Sequence, residues 1–519
     1  MRTKTPKLIV TTTTIIYLAM IILISCKSET ESVFTYDTSF CNDIHRNDSL
    51  KLSSMLTDLY PKMETKTGVY VLEEGSAALL TRAWMCEYAE KYIDIQYFIF
   101  SFDNVGLIAC DYLVRAADRG VKVRILVDDI MVDAKIEEVL SLDAHKNIDI
   151  KIYNPGVNLG KNIFEKVVKF TTDFRSANQR MHNKTFVVDG DLVITGGRNI
   201  ADEYFDYDHK YNFRDRDVLL IGKVVKDVNR SFEEFWSDSL SVPITSLAED
   251  KTIIKTDPNR FQKLHEYACN PDNFWPQIRS RLDQFHLTLS SLKKSDKLRW
   301  LDEVTFISDI PGKNTDTTSL RGGGATTDAL INLVNNAKES IAIQTPYLIT
   351  TETSRSVFKN AIDRGVKIRI LTNSLSSTDN VEAFSGYQSE RELLLKTGIE
   401  IYEFKPHAQI RKEIMTSELQ EKMEYQPIFG HHAKTMVVDK ETTVIGTFNI
   451  DPRSANLNTE CLAIIRDSIT AKNVLKGIEK EFEPENAWEI TMDFNPDKEV
   501  STFKRIKTWA SKIIPKEIL

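Results

Sequence analysis

The chain has 519 residues, 42% of them hydrophobic and 27% charged, with a formal net charge of −8. That length exceeds one ordinary core and suits two lobes plus a leader. The composition is that of a globular protein. No stretch is basic enough to bind duplex DNA by counter-ion release, so nucleic acid is not an expected partner.

At the N-terminus, Arg2, Lys4 and Lys7 precede an uncharged apolar run from Leu8 to Ile24. A signal peptide and a membrane span both fit such a segment. Leu23-Ile24-Ser25-Cys26 resembles the bacterial lipobox, in which the Cys is acylated and becomes the new N-terminus. Residues 1–25 are therefore read as a lipoprotein signal peptide, with Cys26 lipidated. An uncleaved signal anchor is the competing reading. Either one leaves the bulk of the chain outside the cytoplasm, held on a membrane of a bacterial cell envelope. Residues 26–63, rich in Ser, Thr, Asp and Glu, read as a polar tether. Cys41, Cys86, Cys110, Cys269 and Cys461 form no CxxC pair. A metal site is therefore not expected, and one disulfide of unassigned pairing is open.

An internal repeat begins next. A helical segment, Ala77 to Tyr88, leads into the strand-like Tyr92-Ile93-Asp94-Ile95-Gln96-Tyr97-Phe98. A second helix ends at Arg119-Gly120, before the strand Val121 to Val127. In the second half, Ala329 to Ala337 is the helix, Ser340 to Tyr347 the strand, and Arg364 to Leu371 repeats the later strand almost letter for letter. Helix and strand alternating, with Gly at helix ends, predict α/β lobes with mainly parallel sheets flanked by helices. The expected division is a first lobe over 64–242, a connector over 243–309 without a counterpart in the repeat, a second lobe over 310–495, and a basic amphipathic tail over 496–519.

The repeat carries its chemistry in two segments. The first is His182-Asn183-Lys184 with Asp189, then Gly196-Gly197-Arg198-Asn199; the second is His432-Ala433-Lys434 with Asp439, then Gly446-Thr447-Phe448-Asn449. Both read HxKxxxxD, a Gly-rich turn and an Asn. Strand period puts each His and Lys on one face, where imidazole and ammonium grip one phosphate. Odd spacing turns Asp189 and Asp439 to the opposite face, so they are expected to support the site. Gly-rich turns let backbone approach a phosphate, and Asn199 and Asn449 donate to its oxygens. A histidine needs a partner to fix its tautomer. The second half offers Glu460; the first offers Asp215, with Asp217 in reserve. His431 reads as a bystander.

The doubled HxKxxxxD resembles the signature of the phospholipase D superfamily. Its flanks resemble the cardiolipin synthases, the cardiolipin synthase C type most of all. They are Asp173-Phe174-Arg175, Asn178 to Lys184, Gly196 to Phe205, and Thr447 to Glu460, with Leu371 to Leu375 and Ile513-Ile514-Pro515. The resemblance runs from roughly Gly75 to the C-terminus. It implies two phospholipase D-like lobes related by a pseudo-twofold axis, with one shared active site and no cofactor or metal. It implies that His182 attacks phosphorus and forms a phosphohistidine, while His432 acts as acid and base; pseudo-symmetry leaves the reverse open. Lys184, Lys434, Asn199 and Asn449 then stabilise the non-bridging oxygens. The implied reaction is transfer of a phosphatidyl group to phosphatidylglycerol, with phosphatidylglycerol or phosphatidylethanolamine as donor and the membrane as setting. The alternatives are a phospholipase D-type hydrolase, a nuclease and a silent membrane scaffold. In the tail, Phe503, Ile506, Trp509 and Ile513 share one helical face. That face either enters an anionic lipid interface or docks on the protein.

Overall fold

Each half of the chain builds one sheet, and the two sheets repeat each other in all but one edge strand. The computed structural model describes residues 40–41, 50–129, 136–156, 178–247, 259–282, 284–315, 322–415 and 427–519. The expected signal peptide, Cys26 and the segment 173–175 lie outside the described residues. Residues 38–519 form one compact unit. The first half contributes β1 (Thr67–Leu72), β2 (Tyr92–Tyr97), β3 (Lys122–Asp128), β4 (Ile148–Tyr153), β5 (Thr185–Val188), β6 (Leu192–Gly196), β7 (Tyr211–Arg214), β8 (Asp217–Gly222), β9 (Ser241–Pro243) and β10 (Arg299–Leu301). The second contributes β11 (Val304–Ser308), β12 (Ser340–Gln344), β13 (Lys367–Asn373), β14 (Glu400–Phe404), β15 (Ile428–His431), β16 (Thr435–Val438), β17 (Thr442–Gly446), β18 (Cys461–Arg466) and β19 (Ala487–Ile490).

The sheet orders are β10-β1-β8-β6-β5-β2-β3-β4-β9 and β11-β18-β17-β16-β12-β13-β14-β19. The second order is the first without β10. β3 and β13 even share one burial pattern, with an exposed Lys at the start and four buried residues at the end. The sheets are mixed, not mainly parallel. Parallel pairing is confined to β2-β3-β4 and β12-β13-β14. There a helix returns the chain between neighbouring strands. The HxK strands instead turn back through tight hairpins, β5–β6 and β16–β17, whose strands must pair antiparallel.

Three features join the halves. Val187, Val193, Val218 and Leu220 of the first sheet pack on Ile445, Cys461, Ala463 and Ile465 of the second in one apolar cluster. β7 pairs in parallel with β15, and Met181 bridges Thr459.

The last part of the expected tether, from residue 50 to 63, packs on the first lobe. Leu52, Leu56, Leu59 and Met63 are buried in the first lobe's core, because that stretch carries its own apolar period. Cys41 is joined to Cys269 of the connector. The connector also delivers an edge strand to each sheet, β10 and β11. Its Phe274, Ile278 and Leu282 fill the groove between helices Gly75–Tyr88 and Asn104–Asp118. The corresponding groove of the second lobe, between helices Ala325–Asn336 and Glu352–Asp363, stays open as a cavity of about 640 Å³.

Candidate active site

Each HxK segment is an extended stretch just ahead of its strand, and each is stitched to the opposite lobe. His182 N donates to Thr459 O at 2.9 Å, and Thr459 N donates to Arg180 O at 2.9 Å. In mirror fashion, His432 N and Ala433 N both donate to Arg214 O, at 2.8 and 3.0 Å. The residues following these partners are Glu460 and Asp215. The carboxylates therefore cross over. His182 Nδ1 lies 2.8 Å from Glu460 Oε2, and His432 Nδ1 lies 2.7 Å from Asp215 Oδ2. A half-by-half reading offers Glu460 to the second histidine and Asp215 to the first; the structure exchanges them. The reserve candidate Asp217 is engaged elsewhere, with Arg82 at 2.9 Å. A carboxylate on Nδ1 fixes the proton there and leaves the Nε2 lone pair for chemistry.

Both lysines return to their histidines. Lys184 Nζ donates to His182 O at 2.8 Å. Lys434 Nζ donates to His432 O at 2.6 Å and lies 3.0 Å from His432 Nε2. All four side chains are buried, and burial sets their proton affinities. It lowers His182 to about 4, with Lys184 and Lys434 helping and Glu460 opposing. It holds His432 well below the ordinary imidazole value, reinforced by Lys434 and Lys184. It lowers Lys184 to about 8 and Lys434 to about 7. Burial raises Asp215. Burial also works to raise Glu460, but His182 and the Thr447 hydroxyl hold it below the usual carboxylate range. The free site is thus short of protons and placed to take up an anion.

Asp189 and Asp439 lie five residues past their lysines, roughly 16 Å along the strand. They are not part of the pocket. Asp189 accepts from the backbone N–H groups of Glu90, Lys91 and Tyr92 at 2.8, 2.7 and 3.0 Å. Asp439 accepts from Lys338, Glu339 and Ser340 at 2.9, 2.8 and 3.0 Å. Each sits at positive φ, 54° and 52°. Three backbone bonds hold it in that region. Their work is to fasten the start of β2 and β12 to the HxK strand. Asn199 Oδ1 accepts from Ile99 N at 3.1 Å. Asn449 Oδ1 is buried with no hydrogen-bond partner among the described residues.

The two Gly-rich turns are not equivalent. Strand register aligns Asp215 with Glu460 and Gly197 with Thr447. The Thr447 hydroxyl donates to Glu460. At Gly197 a Cβ would meet Asp215 Oδ1 at 2.0 Å. One lobe steadies its carboxylate with a hydroxyl, the other by leaving space. His431, expected as a bystander, is turned away from the pocket toward Phe404 and lies 3.6 Å from Glu481.

Sequence reading missed the walls. Phe98 meets His182 edge-on at 4.9 Å and lies beneath Lys184. Tyr204 and Phe213 stand 5.1 and 4.7 Å from His432. Tyr347 donates to Asp379 at 2.9 Å, and the charge of Asp379 reaches Lys434. Phe98 and Tyr347 end strands that were recognised; nothing local marks Asp379. Among the described residues, Cys41, His265 and Cys269 have metal-ligand spacing, but the two sulfurs are bonded to each other.

The arrangement, two histidines each held on Nδ1 by a carboxylate and two lysines in one pocket, suits nucleophilic and acid–base work on a phosphodiester anion. Known proteins agree. The family model described as "Cardiolipin synthase, PLD-like domain" matches residues 85–236 and 330–485. Cardiolipin synthase C of Escherichia coli (strain K12) is 31% identical over 457 residues, 85% of this chain and 90% of that one. An uncharacterized protein of Helicobacter pylori (strain ATCC 700392 / 26695) is 34% identical over 82% of this chain and 81% of its own. The crystal structure of phosphatidylserine synthase from Haemophilus influenzae Rd KW20 superposes with a TM-score of 0.57 at 13% identity, covering 90% of this chain and 100% of that one. That likeness shows the fold. A doubled motif, two matched lobes and these relatives make the chain a member of the phospholipase D superfamily, among its cardiolipin synthase-like phosphatidyltransferases.

Proposed function

We propose that the chain forms cardiolipin by transferring a phosphatidyl group to the glycerol hydroxyl of phosphatidylglycerol, through a phosphohistidine. The observation that carries this reading is the crossed pair of buried histidines, each held on Nδ1 by a carboxylate at 2.8 and 2.7 Å. His182 Nε2 attacks phosphorus with its lone pair. The P–O bond to the departing headgroup breaks, and His432 gives its proton to the leaving alkoxide. The acceptor hydroxyl then attacks the phosphatidyl-histidine and passes its proton to His432. The P–N bond breaks, and the lone pair returns to His182. His432 enters protonated once the substrate anion offsets the lysine charges that, with burial, keep it neutral in the free protein. Lys184 and Lys434 stabilise charge on the non-bridging oxygens, and Asn199 and Asn449 border them.

The same reading holds the chain outside the cytoplasm by a lipidated Cys26. The Cys41–Cys269 disulfide supports it, since such bonds persist in oxidising compartments.

The test is an assay in vesicles of phosphatidylglycerol, with and without phosphatidylethanolamine. Cardiolipin is the expected product. Phosphatidic acid alone means that water is the acceptor and the chain is a hydrolase. No product from any mixture removes the phospholipid assignment.

The proton affinities predict a bell-shaped profile on a soluble aryl phosphodiester. His182 must be neutral to attack, so kcat/KM rises with pH through about 4. The lysines must be charged to hold the anion, so it falls as pH climbs past about 7 and then 8. A flat profile from roughly pH 6 to 9 removes the lysines from anion binding.

A further inference from the structure

The C-terminal helix, Thr502–Ser511, turns its apolar residues the wrong way for a docked helix. Phe503 is 78% exposed, Ile506 58%, Trp509 71% and Ile513, just beyond, 88%. At about 100° per residue these four share one face. The opposite face holds the buried Thr508 and Ser511, and it is this polar, small-residue side that meets the helix Val381–Thr397. Polar contacts then fix the segment. Lys507 pairs with Glu382 at 3.2 Å and Lys516 with Glu390 at 2.9 Å. Arg453 Nη1 donates to Ile518 O at 3.2 Å. Arg505 and Lys512 are exposed along one edge of the apolar face, and Lys507 along the other. In a chain of net charge −8, this face is locally cationic and apolar at once.

The helix also lies beside the rim of the active site, its Lys507 paired with Glu382 in the first turn of the helix that follows Asp379. Lys504 is turned inward, where the charge of Asp379 acts on it. Asp379 accepts from the Tyr347 hydroxyl, and its charge reaches Lys434.

We propose that this helix enters an anionic bilayer surface by Phe503, Ile506, Trp509 and Ile513, with Arg505, Lys507 and Lys512 at the phosphate level. A row of large apolar side chains flanked by cations is what an interfacial helix presents to anionic lipid. A helix that docks on protein buries that row instead. The insertion brings the Asp379 side of the site to the lipid surface; this second step rests on the phospholipid reading above.

The full chain is reconstituted into vesicles containing phosphatidylglycerol with brominated acyl chains, and tryptophan quenching is read. Bulk membrane attachment does not give the answer, because the N-terminal segment alone is expected to attach the chain. Trp509 does, with Trp509→Phe as the reference that removes its share of the signal. Insertion predicts a quenched component present in the unaltered chain and missing from W509F. Equal fractional quenching in the two overturns the proposal. A second arm uses Phe503→Ser, Ile506→Ser and Trp509→Ser together. All three sites are exposed, so the fold has little reason to change. Turnover of vesicle lipid is expected to drop at least about tenfold, with turnover of a soluble aryl phosphodiester within about twofold of normal. Unchanged turnover of vesicle lipid overturns the placement. If Trp509 is shielded without quenching, and the detergent-solubilised chain is a dimer that the triple variant makes monomeric, the face belongs to a second copy and the proposal falls. If the unaltered chain turns over no phosphodiester at all, the functional reading fails, and quenching still decides insertion.

Discussion

Replacing His182 or His432 with Ala is expected to lower phosphatidyl transfer at least about 10⁴-fold, and the double variant to be little worse than either single one. The two residues serve one displacement, so losing either removes the whole path. Both lie in a pocket whose lysines are held by backbone carbonyls, Lys184 by His182 O and Lys434 by His432 O. Those carbonyls survive the substitution, so anion binding is expected to persist while transfer is lost. A diester with a good aryl leaving group separates the two roles, since that group departs without a proton. With His432→Ala, His182 still attacks, and the acceptor hydroxyl then lacks a base. One equivalent of aryl alcohol is expected in a burst, followed by a stall on an acid-labile protein-bound phosphoryl group. His182→Ala is expected to give no burst. A burst from His182→Ala and none from His432→Ala reverses the roles. The near-symmetry of the lobes makes that reversal a real outcome to measure. Steady single-phase turnover by both variants sinks the covalent path.

Much of this was legible before the structure, because repetition carries information that one motif does not. The two HxK segments, the later strands Lys122–Asp128 and Lys367–Asn373, and the Gly-rich turns announce two like lobes with one chemistry. What stayed hidden was whatever depends on contact between the halves. Glu460 and Asp215 are visible as carboxylates. Their exchange between lobes follows from Thr459 pairing with Arg180 and His182, and Arg214 with His432. Pairings of this sequence separation leave no local trace. Sheet direction stays hidden for a related reason: helix–strand alternation describes only part of each lobe, and the hairpins reverse the rest. Polar composition before residue 64 masks four apolar residues, Leu52, Leu56, Leu59 and Met63, that dock in the core. In the tail, helical spacing puts Phe503, Ile506, Trp509 and Ile513 on one face, but whether that face is buried depends on packing far along the chain.

Gly197→Ala is expected to lower transfer by about 10² to 10⁴-fold, although the residue has no side chain to contribute. An added Cβ would sit 2.0 Å from Asp215 Oδ1, 2.7 Å from its Cγ and 2.8 Å from Oδ2. No real Cβ tolerates such contacts, so something must move. Asp215 is the nearest, and it is not a loose end. Its Oδ1 accepts from Arg216 N at 2.7 Å, and its Oδ2 holds His432. Arg216 in turn is bound to Glu73 and Thr435, both at 2.8 Å. The carboxylate can move only by releasing His432, which then loses its tautomer and its orientation. Gly197→Ala and Asp215→Asn should therefore resemble each other, and combining them should add little, because both act through the same bond. Thr447→Ala, at the matching position of the other lobe, removes a hydroxyl from Glu460 without adding bulk. It is expected to cost only about 10 to 100-fold, the worth of one hydrogen bond to a charged group. A merely structural role for Gly197 predicts lost folding with normal specific activity in the folded fraction. A positioning role predicts a normal melting profile, an alkaline limb of phosphatidyl transfer displaced to lower pH and a lower kcat. Activity of Gly197→Ala near that of the unaltered chain would show that His432 does not need Asp215 where the structure puts it.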